Sequence, residues 1–278
     1  MHIDKKVWFI TGASKGLGME LTKLLLTTGN KVAATSRTIE EFKKNITAHQ
    51  ENFLPLQVDL TSDESVKDAV KKAVERFGRL DVVVNNAGYS LVGSMEEITD
   101  QEFRQTIDVN LFGTVNVIRA VMPYLREQKS GHIINISSNA GYVGFANASS
   151  YNAAKFAVIG LSEALALETK PFGLQVTVVA PGQFRTNFMD TGSLTFAKNK
   201  IAEYQLEEAE KMWTQFSGQQ QGDPRKLVHI LADLAGNPKA PLHLLLGPDT
   251  YELVTEHREK EKQEIEDWKE TTLSTNFD

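Results

Sequence analysis

Short unbroken apolar runs alternate along this chain with longer segments whose apolar residues recur every three or four positions. Val7, Trp8, Phe9 and Ile10 form the first run. A strand with no polar face is one buried on both sides of a parallel sheet. Runs at 31–36, 53–58, 80–84, 131–136, 175–179 and 242–246 predict further strands of the same kind. Helical patterns at 19–28, 38–50, 62–77, 100–128, 151–170 and 224–234 lie between them. The clearest has Ser62 as its cap, a stripe of Val66, Ala69, Val70, Ala73, Val74 and Phe77, and Gly78 as its stop. Strands and helices alternating through short links imply right-handed crossovers. The expected fold is α/β: a Rossmann-type, doubly wound parallel sheet of about seven strands with helices on both faces, in one domain spanning 1–278.

The alternation breaks at 183–222, where Phe184, Phe188, Met189, Phe196, Tyr204, Met212, Trp213 and Phe216 mix with polar residues. This stretch reads as a lid inserted over the active edge of the sheet, with a helix at 196–216 and Gly192 and Gly218 as hinges. A segment that admits substrate and then excludes water is drawn from the less stable parts of a fold. It is expected to be mobile without ligand. From 249 to about 270, opposite charges at helical spacing predict a solvated surface helix.

Composition narrows the class. Hydrophobic residues make up 41% and charged residues 24%, as in an ordinary soluble globular protein. A net charge of −6 argues against a nucleic-acid binder, which presents a basic face. No apolar run approaches a membrane span, and the first six residues lead straight into a strand, leaving no room for a secretory leader. A cytoplasmic protein is expected. There are no cysteines, which removes thiol nucleophiles and disulfides, and the six histidines lack metal-ligand spacing, so no metal is expected.

The candidate chemistry sits at strand ends. After the first strand come Thr11, Gly12, Ala13, Ser14, Lys15, Gly16, Leu17 and Gly18, opening a helix. In that context Gly12 permits a tight turn, Gly16 lets backbone approach a phosphate, and Gly18 lets helix pack on strand. The helix N-terminus offers amide donors to a pyrophosphate. Asp59 and Leu60 close the third strand, and Asn85, Asn86, Ala87 and Gly88 close the fourth. Ser138 follows the fifth. Tyr151 and Lys155, four apart on a helix, share one face. A nearby ammonium favours a phenolate and makes the tyrosine a usable acid or base near neutrality. Asn110 lies inside a helical pattern, an unfavourable place for asparagine; a buried residue bonding its own backbone would explain it.

Taken together these residues resemble the short-chain dehydrogenase/reductases from about Lys6 to Leu246. The loop from Thr11 to Gly18 matches the family's cofactor loop. Asn86, Ala87 and Gly88 match the motif bordering the adenosine ribose, and Asp59 falls where the family's acid meets the adenine. Asn110, Ser138, Tyr151 and Lys155 match the catalytic four, and Pro181, Gly182 and Thr186 the segment holding the nicotinamide. The resemblance implies that Tyr151 exchanges a proton with the substrate oxygen, that Lys155 lowers its pKa and bonds the nicotinamide ribose, and that Ser138 bonds the oxygen where charge develops. It implies that Asn110 kinks its helix and holds a water in a proton relay.

The second strand ends without an acid, at Arg37, and Lys15 adds a second cation. Both suit a 2′-phosphate, so NADP(H) is expected over NAD(H). Tyr89, Leu91, Tyr142, Phe145, Phe184, Phe188, Met189 and Trp213 are expected to line the cleft, which points to an apolar or ring-bearing carbonyl or alcohol, as in the retinol- and hydroxysteroid-dehydrogenase-like branch. The alternatives are a nucleotide-binding regulator or redox sensor without turnover, which would carry damaged catalytic residues, and an epimerase or dehydratase, which would carry a larger substrate domain. A homodimer is expected through helices near 111–128 and 151–170, with a tetramer as the alternative that the long tail would obstruct.

Overall fold

The computed structural model describes residues 5–48, 50–189 and 192–277; residues 1–4, where the leader was weighed, lie outside the described residues, as do two positions of the expected lid, 190 and 191. Strand β1 (Val7–Ile10) runs into helix α1 (Gly16–Thr27), followed by β2 (Lys31–Ser36), α2 (Glu40–Asn45), β3 (Phe53–Gln57) and α3 (Asp63–Phe77). Then come β4 (Val82–Asn85), a short β5 (Ser90–Val92), α4 (Asp100–Ile107), a π-helical turn (Asp108–Phe112) and α5 (Gly113–Gln128). The chain continues through β6 (Gly131–Ile136), α6 (Ser149–Thr169), β7 (Leu174–Pro181), β8 (Leu194–Phe196), α7 (Leu206–Phe216) and α8 (Pro224–Leu234). It ends with β9 (His243–Leu246), α9 (Pro248–Asp267) and α10 (Lys269–Leu273).

Among the described residues the main sheet has seven parallel strands in the order β3-β2-β1-β4-β6-β7-β9. Alternation along β1 divides the core. Val7 and Phe9 enter a cluster with α3, α5 and Leu165 of α6, whereas Trp8 and Ile10 enter one with α1, α8 and Phe42. Each such buried side chain contributes about 1.5–3 kcal/mol relative to exposure. Helix α3 buries Val66, Ala69, Val70, Ala73 and Phe77, is capped by Ser62 Oγ accepting from Ser65 N at 3.3 Å, and stops at Gly78 with φ 83°. Because all seven strands are parallel, their carboxyl ends share one edge, where the candidate site residues gather. Among the described residues no helix is long and apolar enough to cross a membrane.

Three elements differ from expectation. The helix expected at 38–50 is only the six residues of α2; its one buried side chain is Phe42, so little apolar surface supports a longer one. The helix expected at 100–128 is interrupted by the π turn around Asn110. The helix expected at 196–216 begins only at Leu206; before it, β8 pairs in parallel with β5 as a second, two-stranded sheet. Both partners are three-residue runs, too short for periodicity to register.

Candidate active site

The loop between β1 and α1 is clamped to the loop after β4. Thr11 Oγ1 accepts from Asn86 N at 3.0 Å and Ala87 N at 3.1 Å, while Asn86 Nδ2 donates to the Thr11 and Gly12 carbonyls at 2.9 and 3.1 Å. Gly18 packs against Asn86 where α1 meets this clamp. Gly16, at φ 54°, opens α1 in the left-handed region; a Cβ there would lie 3.9 Å from the Thr186 side chain. Gly16 and the Thr186 side chain therefore face each other, with Leu17 packed into the core behind. Ser36 Oγ meets Ser14 Oγ at 2.8 Å at the end of β2, and Arg37 and Lys15 are exposed beside them. Asp59 Oδ1 takes the Thr61 amide at 2.9 Å and hydroxyl at 2.7 Å, and the Leu60 carbonyl accepts from Asn116 Nδ2 at 2.9 Å. Bared backbone at a helix N-terminus, with Arg37 at the β2 end, fits a phosphorylated dinucleotide; the Lys15 ammonium, expected there as a second cation, instead reaches toward Gly192, where a Cβ would lie 3.6 Å from it.

The four catalytic candidates converge at the ends of β4 and β6. Lys155 Nζ donates to the Ile136 carbonyl at 2.9 Å and lies 5.6 Å from the centre of the Tyr151 ring. Ser138 follows β6 in extended backbone; its hydroxyl donates to Asn139 Oδ1 at 3.1 Å and accepts from Ala140 N at 3.2 Å, and it stands close enough to the Tyr151 phenol to favour its ionised form. Asn110 accepts from Tyr89 N at 3.1 Å and donates to the carbonyls of Tyr89 at 3.0 Å and Thr106 at 2.9 Å. It thus bonds its own helix, and it also ties the π turn to the loop after β4. Gly88 makes the meeting possible: a Cβ there would come within 2.6 Å of Asn110 Oδ1 and 3.4 Å of Lys155 Nζ.

Burial governs the charges. It raises the Tyr151 phenol to about 12, with the Ser138 hydroxyl acting weakly the other way, and lowers the Lys155 ammonium to about 8. The expected lowering of the phenol by lysine is thus overridden. Desolvation of a phenolate dominates, and the ammonium is spent on the Ile136 carbonyl.

Of the aromatics expected to line the cleft, Phe188 stands beside the proton donor, its ring centre 6.3 Å from that of Tyr151. Phe145 is 40% exposed. Phe184 packs into the core cluster of α1 and α8, while Tyr89 and Trp213, the latter within the 183–222 segment, pack with Leu91, Val92 and Ile98. Tyr142 corrects the sequence reading: its hydroxyl meets His243 Nδ1 at 2.6 Å, and its ring packs with Val158, Ile159 and Val254.

Sequence reasoning also passed over working residues. Asn152, inside the Tyr151–Lys155 quintet, donates to the carbonyls of Ala140 and Val143 at 2.7 and 2.8 Å and accepts from Phe145 N at 3.1 Å, which fixes the loop after Ser138. Its place between the tyrosine and the lysine was the available signal. Gln220, 1% exposed, carries an amide oxygen without a partner and touches Met189.

Known proteins match both the sequence and this geometry. The family model described as short chain dehydrogenase matches residues 6–194. An oxidoreductase of Botryotinia fuckeliana, BOA17, is 36% identical over 97% of this chain and 99% of its own length. A 3-ketodihydrosphingosine reductase of Bacteroides thetaiotaomicron is 35% identical over 88% of this chain and 89% of its own. Among solved structures, a short-chain dehydrogenase from Streptomyces avermitilis has a TM-score of 0.91 at 35% identity, covering 99% of this chain and 100% of its own. Nicotinamide cofactors occur in further neighbours: NADP in ElxO, 30% identical, and NAD in a Burkholderia phymatum protein, 20% identical.

Proposed function

The chain belongs to the short-chain dehydrogenase family of oxidoreductases, and on that premise we propose that it is an NADP(H)-preferring enzyme acting on an apolar or ring-bearing carbonyl or secondary alcohol. The observation that carries this reading is the convergence of Ser138, Tyr151 and Lys155, with Phe188 joining Tyr151 to Thr186, which faces Gly16. The nicotinamide, when bound, supplies the hydride to the carbonyl carbon or takes it from the alcohol. Tyr151, neutral at pH 7, gives its proton to the carbonyl oxygen in reduction and takes it back in oxidation. Ser138 donates to the same oxygen as charge develops there. Lys155, with an ammonium held down to about 8, returns the proton to Tyr151 more readily than an ordinary lysine could. Gly16 and Thr186 would hold the cofactor's middle and nicotinamide, and Arg37 the 2′-phosphate.

A ketone reductase among the similar proteins supports the carbonyl reading, and an NADP-bound neighbour supports the cofactor. Phe188 beside Tyr151 supports an apolar substrate. A non-catalytic nucleotide-binding regulator would have no use for an intact catalytic set. The exposed side chains of Phe156 and Leu167 on α6 support pairing of two copies through that helix, whereas Val117, Val121 and Leu125 of α5 and Ile159 of α6 are buried within the one chain and lend it nothing; a monomer by light scattering at micromolar concentration would remove that part.

The test is turnover of NADPH and NADH with a panel of lipophilic ketones and aldehydes. NADPH should be preferred, the preference should shrink as salt rises, and Arg37→Asp should reverse it. Tighter use of NADH by the unaltered protein would overturn the cofactor assignment, and no turnover of any panel member would count against the carbonyl reading.

A further inference from the structure

The tail of the chain touches the segment proposed to hold the nicotinamide. Strand β9 ends at Leu246, and Gly247 turns the chain into α9. The Gly182 amide donates to the Leu246 carbonyl at 2.8 Å, one rung beyond the Pro181–Leu246 pairing of β7 and β9. The next amide outward, on Gln183, has passed the end of the ladder. Asp249 Oδ2, in the first turn of α9, accepts it at 2.8 Å. A Cβ on Gly182 would collide with both carboxylate oxygens of Asp249 and with the Thr250 hydroxyl, and one on Gly247 would collide with Asp249 Oδ1. Backbone is bared on both sides of this one carboxylate. Thr250 beneath it is fully buried, and its hydroxyl has no hydrogen-bond partner among the described residues.

The opposite margin is held as well. Gly222 accepts from the Arg185 amide at 2.9 Å and donates to the Gln183 carbonyl at 3.0 Å. The ribbon from Gly182 to Thr186 is therefore fixed by β9 and α9 on one side and by the end of the lid on the other. An aspartate in the first turn is also favoured by the helix dipole, so the carboxylate is in place before any ligand arrives.

We propose that Asp249 is a positioning residue for the nicotinamide half of the cofactor, and that the first turn of α9 belongs to the cofactor site. The proposal rests on the dinucleotide reading above. By taking the Gln183 amide, the carboxylate sets the peptide planes that place Thr186 opposite Gly16. Its loss lets that ribbon turn while the adenosine end of the site, built from β2, β3 and the loop after β4, stays as it is.

Calorimetric titration of the full chain with two ligands separates these ends: NADPH, and adenosine 2′,5′-bisphosphate, which carries the adenine and the 2′-phosphate but no nicotinamide. Asp249→Ala should weaken NADPH on the order of tenfold and leave the bisphosphate unchanged. Asp249→Asn, which keeps an acceptor oxygen, should recover most of the loss. Asp249→Glu keeps the negative charge at the helix start but carries the carboxylate too far, and should behave like the alanine variant; it serves if that variant does not fold. Unchanged NADPH affinity in the alanine and glutamate variants would overturn the proposal. So would equal weakening of both ligands, the mark of general loosening, or failure of asparagine to restore binding. Unaltered protein that binds neither ligand would show that the dinucleotide reading itself is wrong, and the proposal would fall with it.

Discussion

Tyr151 and Lys155 are pushed in opposite directions by the same burial. Phenolate and ammonium both lose hydration, so the phenol stands near 12 and the ammonium near 8. Folded Lys155 binds fewer protons than unfolded lysine from about pH 8 upward, so stability rises with pH there. Folded Tyr151 binds more protons than unfolded tyrosine between about pH 10 and 12, so stability falls again in that range. Urea unfolding should find the protein more stable at about pH 9.5 than at about pH 7.5, by roughly 2 kcal/mol, and Lys155→Met should lose this gain. A flat profile, or the same gain in the methionine variant, would contradict the assignment of the low lysine pKa. That Ser138 stands at a strand end and Tyr151 at a helix start was legible in the sequence, because local patterns mark both places. Tyr142 was not. Which way its ring turns is decided by His243, 101 positions later, and no local pattern carries that.

The lid shows the same limit at the scale of elements. Aromatic content set 183–222 apart as an expected lid, yet the two halves of that segment are built differently. The first half is pinned: β8 pairs with β5, and the Ile201 amide donates to Glu97 Oε1 at 2.9 Å and the Lys198 amide to Glu102 Oε1 at 3.2 Å. Glu97 is fully buried, and its carboxyl is held below the usual range by the amides of Ile201 and Ser94 and the Ser94 hydroxyl, which outweigh desolvation. The second half, α7, is exposed along most of its length and lies between Gln205 at φ 53° and Gly218 at φ 85°. We expect only this half to move. Amide exchange should be slow across β8 and fast in α7, and NADPH with a carbonyl substrate should slow α7. Exchange in α7 as slow as in β1, and unaltered by ligand, would make the whole segment a fixed wall. The π turn was half legible: an asparagine inside a helical pattern flagged it, but the bonds that tie Asn110 to Tyr89, in the loop after β4, join segments far apart in sequence.

Across the whole molecule, the alternation of buried runs and helical stripes was enough to predict the parallel sheet, because burial on both faces leaves its mark on every central strand. Contacts between distant segments left no such mark. The charge-rich tail is exposed beyond Arg258 apart from its join to the body, as its composition suggested. Its first turn, however, sits against Gly182, and only the fold brings residues 182 and 249 together. The proposed function joins, at one edge of one sheet, a dinucleotide site and a buried tyrosine. The most direct test of that claim is Tyr151→Phe, assayed for NADPH binding and for carbonyl reduction in the same preparation. The account predicts NADPH affinity within about threefold of the unaltered protein and turnover reduced on the order of a thousandfold. A variant that keeps most of its turnover would contradict it.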